Sequence, residues 1–126
     1  MAGYSGTPLP QKIGIKDGLV VFLDNAPAAL ELVGTHARLP KQFDVALTFH
    51  TARATLTRRL PVLHARMSTA GMVWVCWPKK ASKVHTDLDE SFVREYGLSL
   101  GIVDVKVAAI DEVWSGLKFV RRLRDR

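Results

Sequence analysis

The sequence predicts an α/β fold: one open, mostly parallel sheet of about five strands, Rossmann-like in outline, with helices on both faces and an antiparallel C-terminal hairpin strand. Three observations predict it. Short apolar runs, suited to strands buried on both faces, alternate with stretches of helical spacing. The order along the chain reads β-α-β-α-β-α-β-β, and βαβ units imply right-handed crossovers between parallel neighbours. The chain has 126 residues, 48% of them apolar and 24% charged. That is the size of one domain, read over 1–126, and it supports a core without staples.

Residues 1–18 are rich in Gly, Pro and Lys and read as an ordered arm in which Pro8 and Pro10 preclude a regular helix. The run Leu19-Val20-Val21-Phe22-Leu23 is the first strand. A short helix is expected over Pro27–Val33, with Asn25 as its cap, Pro27 in its first turn and Gly34 ending it. The stretch His36-Ala37-Arg38-Leu39 reads as an edge strand or a loop. Asp44–Phe49 is the second clear strand. Leu56, Leu60, Leu63 and Met67 then recur at helical spacing, with Pro61 expected to kink or restart that helix.

Met72–Trp77 is the third clear strand, ended by Pro78-Lys79-Lys80-Ala81-Ser82. A helix is expected to start at Thr86, with Asp87, Asp89 and Glu90 at the positive end of its dipole and Leu88, Phe92, Val93 and Tyr96 as its apolar stripe. Gly97 or Gly101 ends it. Ile102–Ile110 and Leu117–Arg121, joined by a tight segment, read as the closing hairpin. Leu117 and Phe119 sit on a strand expected at the sheet edge, where pairing with a second copy makes a homodimer.

Charge and composition exclude several classes. The first fourteen residues have no apolar stretch of the kind a secretory leader needs, and no run approaches the length of a membrane helix. A lone Cys76 has no partner for a disulfide, which makes a reducing cytoplasm the expected compartment. Cys76 lies mid-strand and reads as an inert buried thiol. The net charge is +6, and the segment from Lys118 onward carries much of it. Arg121, Arg122, Arg124 and Arg126 form a basic tail (121–126), either a solvated end or a contact for phosphate backbones.

In an open α/β sheet a ligand binds beyond the carboxyl ends of the strands. Here those exits deliver Asp24, Asn25 and Pro27 from the first strand, His50 and Thr51 from the second, and Trp77, Pro78, Lys79, Lys80 and Ser82 from the third. The hairpin adds Asp111, Glu112, Trp114 and Ser115. Trp77-Pro78-Lys79-Lys80 suits an anion beside a flat apolar group. Asn25, Pro27, Trp77, Lys79, Lys80, Ser82, Trp114 and Ser115 are therefore the candidate ligand set. Tyr4, Ser5 and Thr7 are candidates for a lid.

Absences narrow the chemistry. No glycine-rich turn follows the first strand, which reads Leu23-Asp24-Asn25-Ala26-Pro27, and no acid ends the next one. There is no Walker sequence, no nucleophile elbow and no HExxH. His36, His50, His64 and His85 are scattered without ligand spacing, so no metal site is expected. Asp24, Asp111 and Glu112 fall on the ligand edge, where acid–base work would need a partner and a shifted pKa for each; Asp24 reads rather as a cap for the following helix. No cofactor is expected, S-adenosylmethionine included.

The arm YSGTPLPQKIGIK, the loop DNAP, the strand exit WPKKAS, the run TDLDESFVREYGLSLGIVDVKV and the ending DEVWSGLKFVRR resemble a small bacterial family known as a domain of unknown function. The resemblance spans most of the chain, most loosely over residues 28–65, and transfers no activity. The strand order and closing hairpin are also similar to the second half of class I methyltransferases. The expected function is a non-catalytic module that takes an anionic small molecule or a protein partner at the strand exits. The alternatives are a degenerate methyltransferase-like enzyme, and nucleic-acid binding by the tail, which truncation after Val120 would abolish.

Overall fold

A computed structural model describes residues 8–32 and 34–126. Six strands form one sheet: β1 (Val21–Asp24), β2 (Thr35–His36), β3 (Phe43–Phe49), β4 (Met67–Pro78), β5 (Ile102–Ala109) and β6 (Trp114–Arg121). Their spatial order is β2-β1-β3-β4-β6-β5. β2, β1, β3 and β4 run parallel, and β6 is antiparallel to both β4 and β5. The expected mostly parallel sheet with a closing hairpin is therefore present, and the ambiguous stretch after Gly34 contributes a two-residue edge strand.

Alternation along each strand splits the core in two. One face carries Phe22, Ala46, Val73, Val75, Trp77, Leu117 and Phe119, packed under α2 (Arg53–Arg66) and α3 (Glu90–Ser99). The other carries Val21, Val45, Leu47, Phe49, Trp74, Cys76 and Ile110, covered by α1 (Leu9–Ile13) and by Ala26, Leu30 and Leu32. Cys76 is fully buried, and burial pushes its thiol well above the ordinary cysteine range.

Several sequence expectations need correction. Pro8 and Pro10 do not exclude a helix: Pro8 is the N-cap of α1 and Pro10 lies in its first turn, where the missing N–H would have had no intrahelical partner. No helix forms over the described part of 27–33. Leu30 N–H closes a turn on Pro27 O at 3.0 Å, and Asn25 is not a cap but adopts a left-handed conformation, φ 57°. Val33, like Tyr4, Ser5 and Thr7, lies outside the described residues.

α2 runs unbroken through Pro61. α3 starts at Glu90 rather than Thr86, because Asp89 caps it by accepting Phe92 N–H at 2.8 Å. Asp87 serves α2 instead: its carboxylate accepts the N–H of Arg53, in the first turn of a helix whose own N-cap, Ala52, has no side-chain acceptor. Gly97 lies inside α3, pressed against the Phe119 ring so closely that a methyl there would collide with it. Gly101, at φ 92°, follows the end of the helix. β6 is interior, not an edge, and Leu117 and Phe119 are fully buried. The free edges are β2 and β5.

Candidate functional site

The exits of β1, β3 and β4 leave the sheet side by side, as Asp24 pairs with Thr48 and Phe49 with Cys76 in register. The chain passes from β1 outward to β2, then returns across β1 to β3. That reversal is a topological switch point, where neighbouring connections part and leave a crevice. A cleft of about 400 Å³ opens there, lined by Asp24, Asn25, His50, Thr55, Arg58, Arg59 and Val62.

Each lining residue has a structural cause. Asp24 and Thr48 sit opposite each other on adjacent strands, so their side chains share the face under α2. Arg59 forks onto Asp24 from α2, Nε to Oδ2 at 2.8 Å and an Nη to Oδ1 at 2.9 Å. Asn25 turns the chain away from β1, and its amide donates to Phe49 O at 2.8 Å, tying that turn to the end of β3. Arg58 lies one residue before Arg59, is exposed, and has no hydrogen-bond or ion-pair partner among the described residues.

A hydrogen-bonded chain runs along the cleft wall, with Thr48 behind it. Thr48 Oγ1 lies 2.7 Å from Asp24 Oδ2 and 2.6 Å from His50 Nε2, and His50 Nδ1 lies 3.0 Å from Thr55 Oγ1. Asp24 offers only acceptors, so Thr48 donates its one proton there and accepts from His50 Nε2–H. The bare nitrogen is then Nδ1, on the Thr55 side. Burial pushes the His50 imidazole below its ordinary value; the charge of Asp24 opposes this and that of Arg59 adds to it. The imidazole is thereby held neutral at pH 7.

A second cleft, about 370 Å³, lies at the ends of β4 and β6 against the start of α3. It brings together Trp77, Lys79, Lys80 and Ser115 of the candidate set, with Asp89 and Glu90 on the same wall. Lys79 is committed: its Nζ donates to Asp111 O at 2.7 Å and its N–H to Val113 O at 2.8 Å, bolting this exit to the hairpin loop. Lys80 is exposed and lines the same cleft as those two carboxylates. Trp114 is not a second wall here. It packs on the other face of the sheet, edge-on to Phe49 with ring centroids 5.2 Å apart. Ser82 closes its own turn on Lys79 O, and Pro27 lies in the turn after β1, outside both clefts.

Thr55, Arg58, Arg59 and Val62 escaped the sequence reading because a helix's polar face looks like solvated surface. The signal that could have found them is the predicted strand order, which puts the crevice beside the first helix after the switch.

The tail arginines are also placed by the fold. Arg121 donates to His64 O at 3.0 Å and Met67 O at 2.6 Å, and so caps the carbonyl end of α2. Arg122 reaches Leu98 O near the end of α3. Arg124 and Arg126 are exposed. No helix among the described residues is long and apolar enough to cross a membrane.

Neither a family model nor a curated protein sequence matches the chain. Solved structures do match in fold. The chain is similar to magnesium protoporphyrin IX methyltransferase of Synechocystis PCC 6803, solved with bound S-adenosylhomocysteine. The TM-score is 0.52 at 13% identity, over 70% of this chain and 50% of that one. It is also similar to LepI in complex with S-adenosylmethionine, TM-score 0.57 at 12% identity, over 90% of this chain and 39% of that one. The fold is methyltransferase-like. The chain spans half or less of the length of these structures. The expectation that no cofactor is involved, S-adenosylmethionine included, is corrected by them, since the structures that share the fold hold that compound or its demethylated product. The missing glycine turn was its ground, and Asn25 supplies the left-handed backbone there without a glycine.

Proposed function

We propose that the protein binds an adenosyl amino acid of the S-adenosylmethionine class in the cleft between β1, β3 and α2. The observation that carries this reading is Arg58, an unpartnered guanidinium on the wall of a ligand-sized cleft at the switch point. A guanidinium takes a carboxylate through two parallel hydrogen bonds, so Arg58 suits the amino-acid end of such a ligand. The left-handed turn at Asn25, held down on Phe49 O, suits close approach of that end to the backbone. No acid ends β2, which closes at His36, so a ribose would take its hydrogen bonds from elsewhere in the cleft. Binding an anionic group at the strand exits thus remains the core of the function, with its cation on α2.

Calorimetric titration of the full chain with S-adenosylmethionine and with S-adenosylhomocysteine tests this. Saturable binding is expected, weakened about tenfold or more by Arg58→Ala, the scale of one charge-assisted hydrogen-bonded contact. Arg58 is exposed, so the variant keeps the fold. Absence of heat from both compounds at millimolar concentration overturns the reading.

A further inference from the structure

We infer that Thr55 is a nucleophile for acyl transfer, activated by His50. The inference goes beyond ligand binding: it shares the cleft and Arg58 with that reading, but its chemistry lies on Thr55 and His50. An activated hydroxyl needs three things: a base within hydrogen-bond reach, a third group that orients the base, and a positive group where negative charge develops. All three meet at this cleft.

The base is His50 Nδ1, 3.0 Å from Thr55 Oγ1. Thr55 has a second acceptor, Ala52 O at 2.9 Å, so its hydroxyl lies between a carbonyl and a bare imidazole nitrogen. The orienting group is Thr48, which receives Nε2–H at 2.6 Å and passes its own proton to Asp24 at 2.7 Å. Asp24 is fixed in turn by the two-pronged contact with Arg59. An imidazolium formed on His50 would therefore sit two short hydrogen bonds from a carboxylate. The positive group is Arg58, three residues after Thr55 on the same helix, hence on the same side, and free to meet an oxyanion.

Burial separates the parts in a useful way. Thr48 is buried behind the cleft and His50, though it contributes to the lining, is only 5% exposed, whereas Thr55 and Arg58 are exposed on the wall. The base is shielded from water while the hydroxyl stays in reach of an incoming ester. A threonine that only stabilised the first turn of α2 would need the Ala52 carbonyl alone. A histidine that only filled space would not need both ring nitrogens held by hydroxyls.

The step balances without another reactant. With p-nitrophenyl acetate, Thr55 Oγ1 bonds to the carbonyl carbon while its proton passes to His50 Nδ1. The carbon–phenoxide bond breaks and p-nitrophenolate leaves. The imidazolium proton passes to solvent. Water then attacks the acetyl-threonine and gives a proton to the freed Nδ1, which hands it to Thr55 Oγ1 as that bond to the acetyl carbon breaks. This releases acetic acid, which ionises to acetate, with Thr55 restored.

The test uses that ester on the ligand-free full chain, so it is independent of S-adenosylmethionine binding. Acetylated sites are mapped by peptide mass spectrometry, and p-nitrophenolate release is followed in parallel. Acetylation at Thr55 is expected. It should persist in Thr55→Ser, vanish in Thr55→Val, and slow about 100-fold in His50→Gln. Should His50→Gln fail to fold, the pH profile of the unaltered protein decides: the rate at Thr55 should rise with pH and level off below the ordinary histidine value of 6.5. Acetyl groups on lysines alone, a Thr55 rate untouched by His50→Gln, or a rate that climbs steadily with pH would each overturn the inference.

Discussion

At the scale of single residues, Pro61 shows how a local defect is repaired from a distance. A proline inside a helix has no N–H for the carbonyl four residues earlier, here that of Thr57. The Tyr96 hydroxyl, on α3, donates to that carbonyl at 2.7 Å. The repair keeps α2 continuous and links the two helices on that face. Tyr96→Phe should therefore cost about 1–2 kcal/mol, read as a lower urea midpoint with an unchanged slope; an unchanged midpoint would mean that water replaces the hydroxyl. The sequence shows Pro61 plainly, but not its remedy, because Tyr96 reads as one member of an apolar stripe. The same limit applies at the site. Asp24 and His50 were visible as strand-exit residues. Their partners Arg59 and Thr55 were not, since only the strand order says which helix face meets which exit.

At the scale of elements, strands were the most legible parts and connections the least. Uninterrupted runs such as Met72–Trp77 can be buried on both faces only in a sheet, so periodicity and burial agree. The segment after β1 carries helix start and stop signals, yet it turns instead: the Asn25 amide holds it to Phe49, and its apolar residues Ala26, Leu30 and Leu32 lie over the sheet. Tertiary contacts override a short stretch of propensity. The edge strand β5 is protected in two ways. Val105 is an extra residue between Asp104 and Lys106 relative to β6, which bends the edge. Lys106, whose Nζ reaches Lys12 O at 3.2 Å, keeps a charge between the exposed Val105 and Val107. Lys106→Val should turn that stretch into a continuous apolar ribbon and raise self-association, visible as a concentration-dependent increase in sedimentation coefficient. A variant that sediments like the parent at every concentration would show that the bulge alone guards the edge.

At the scale of the whole molecule, acid should loosen the fold earlier than carboxylate titration alone would. Burial lowers the pKa of both His50 and His64, and Arg121 adds to the effect at His64. The unfolded chain then binds more protons than the folded one as pH falls below the ordinary value of 6.5. The stability these groups contribute is fully present above that pH and is lost on the way down to their folded values. The slope is at most about 1.4 kcal/mol per pH unit for each proton taken up. Thermal melts should give a flat midpoint from about pH 8 to 6.5 and a falling one below, with the fall reduced in His64→Gln. A midpoint that holds level down to about pH 5, where carboxylates begin to matter, would contradict this.

The guanidinium of Arg121, bonded to His64 O and Met67 O, has a bearing on how the C-terminal residues are studied. Deleting everything after Val120 would strip a bracket from the end of α2 along with the surplus positive charge, and a loss of RNA or DNA retention could then report a damaged scaffold. Arg126 Nε in turn holds Arg121 O at 3.0 Å, so neutralising Arg124 alone is the change that leaves that bracket in place, and it is the cleaner way to ask whether the terminus grips a polyanion.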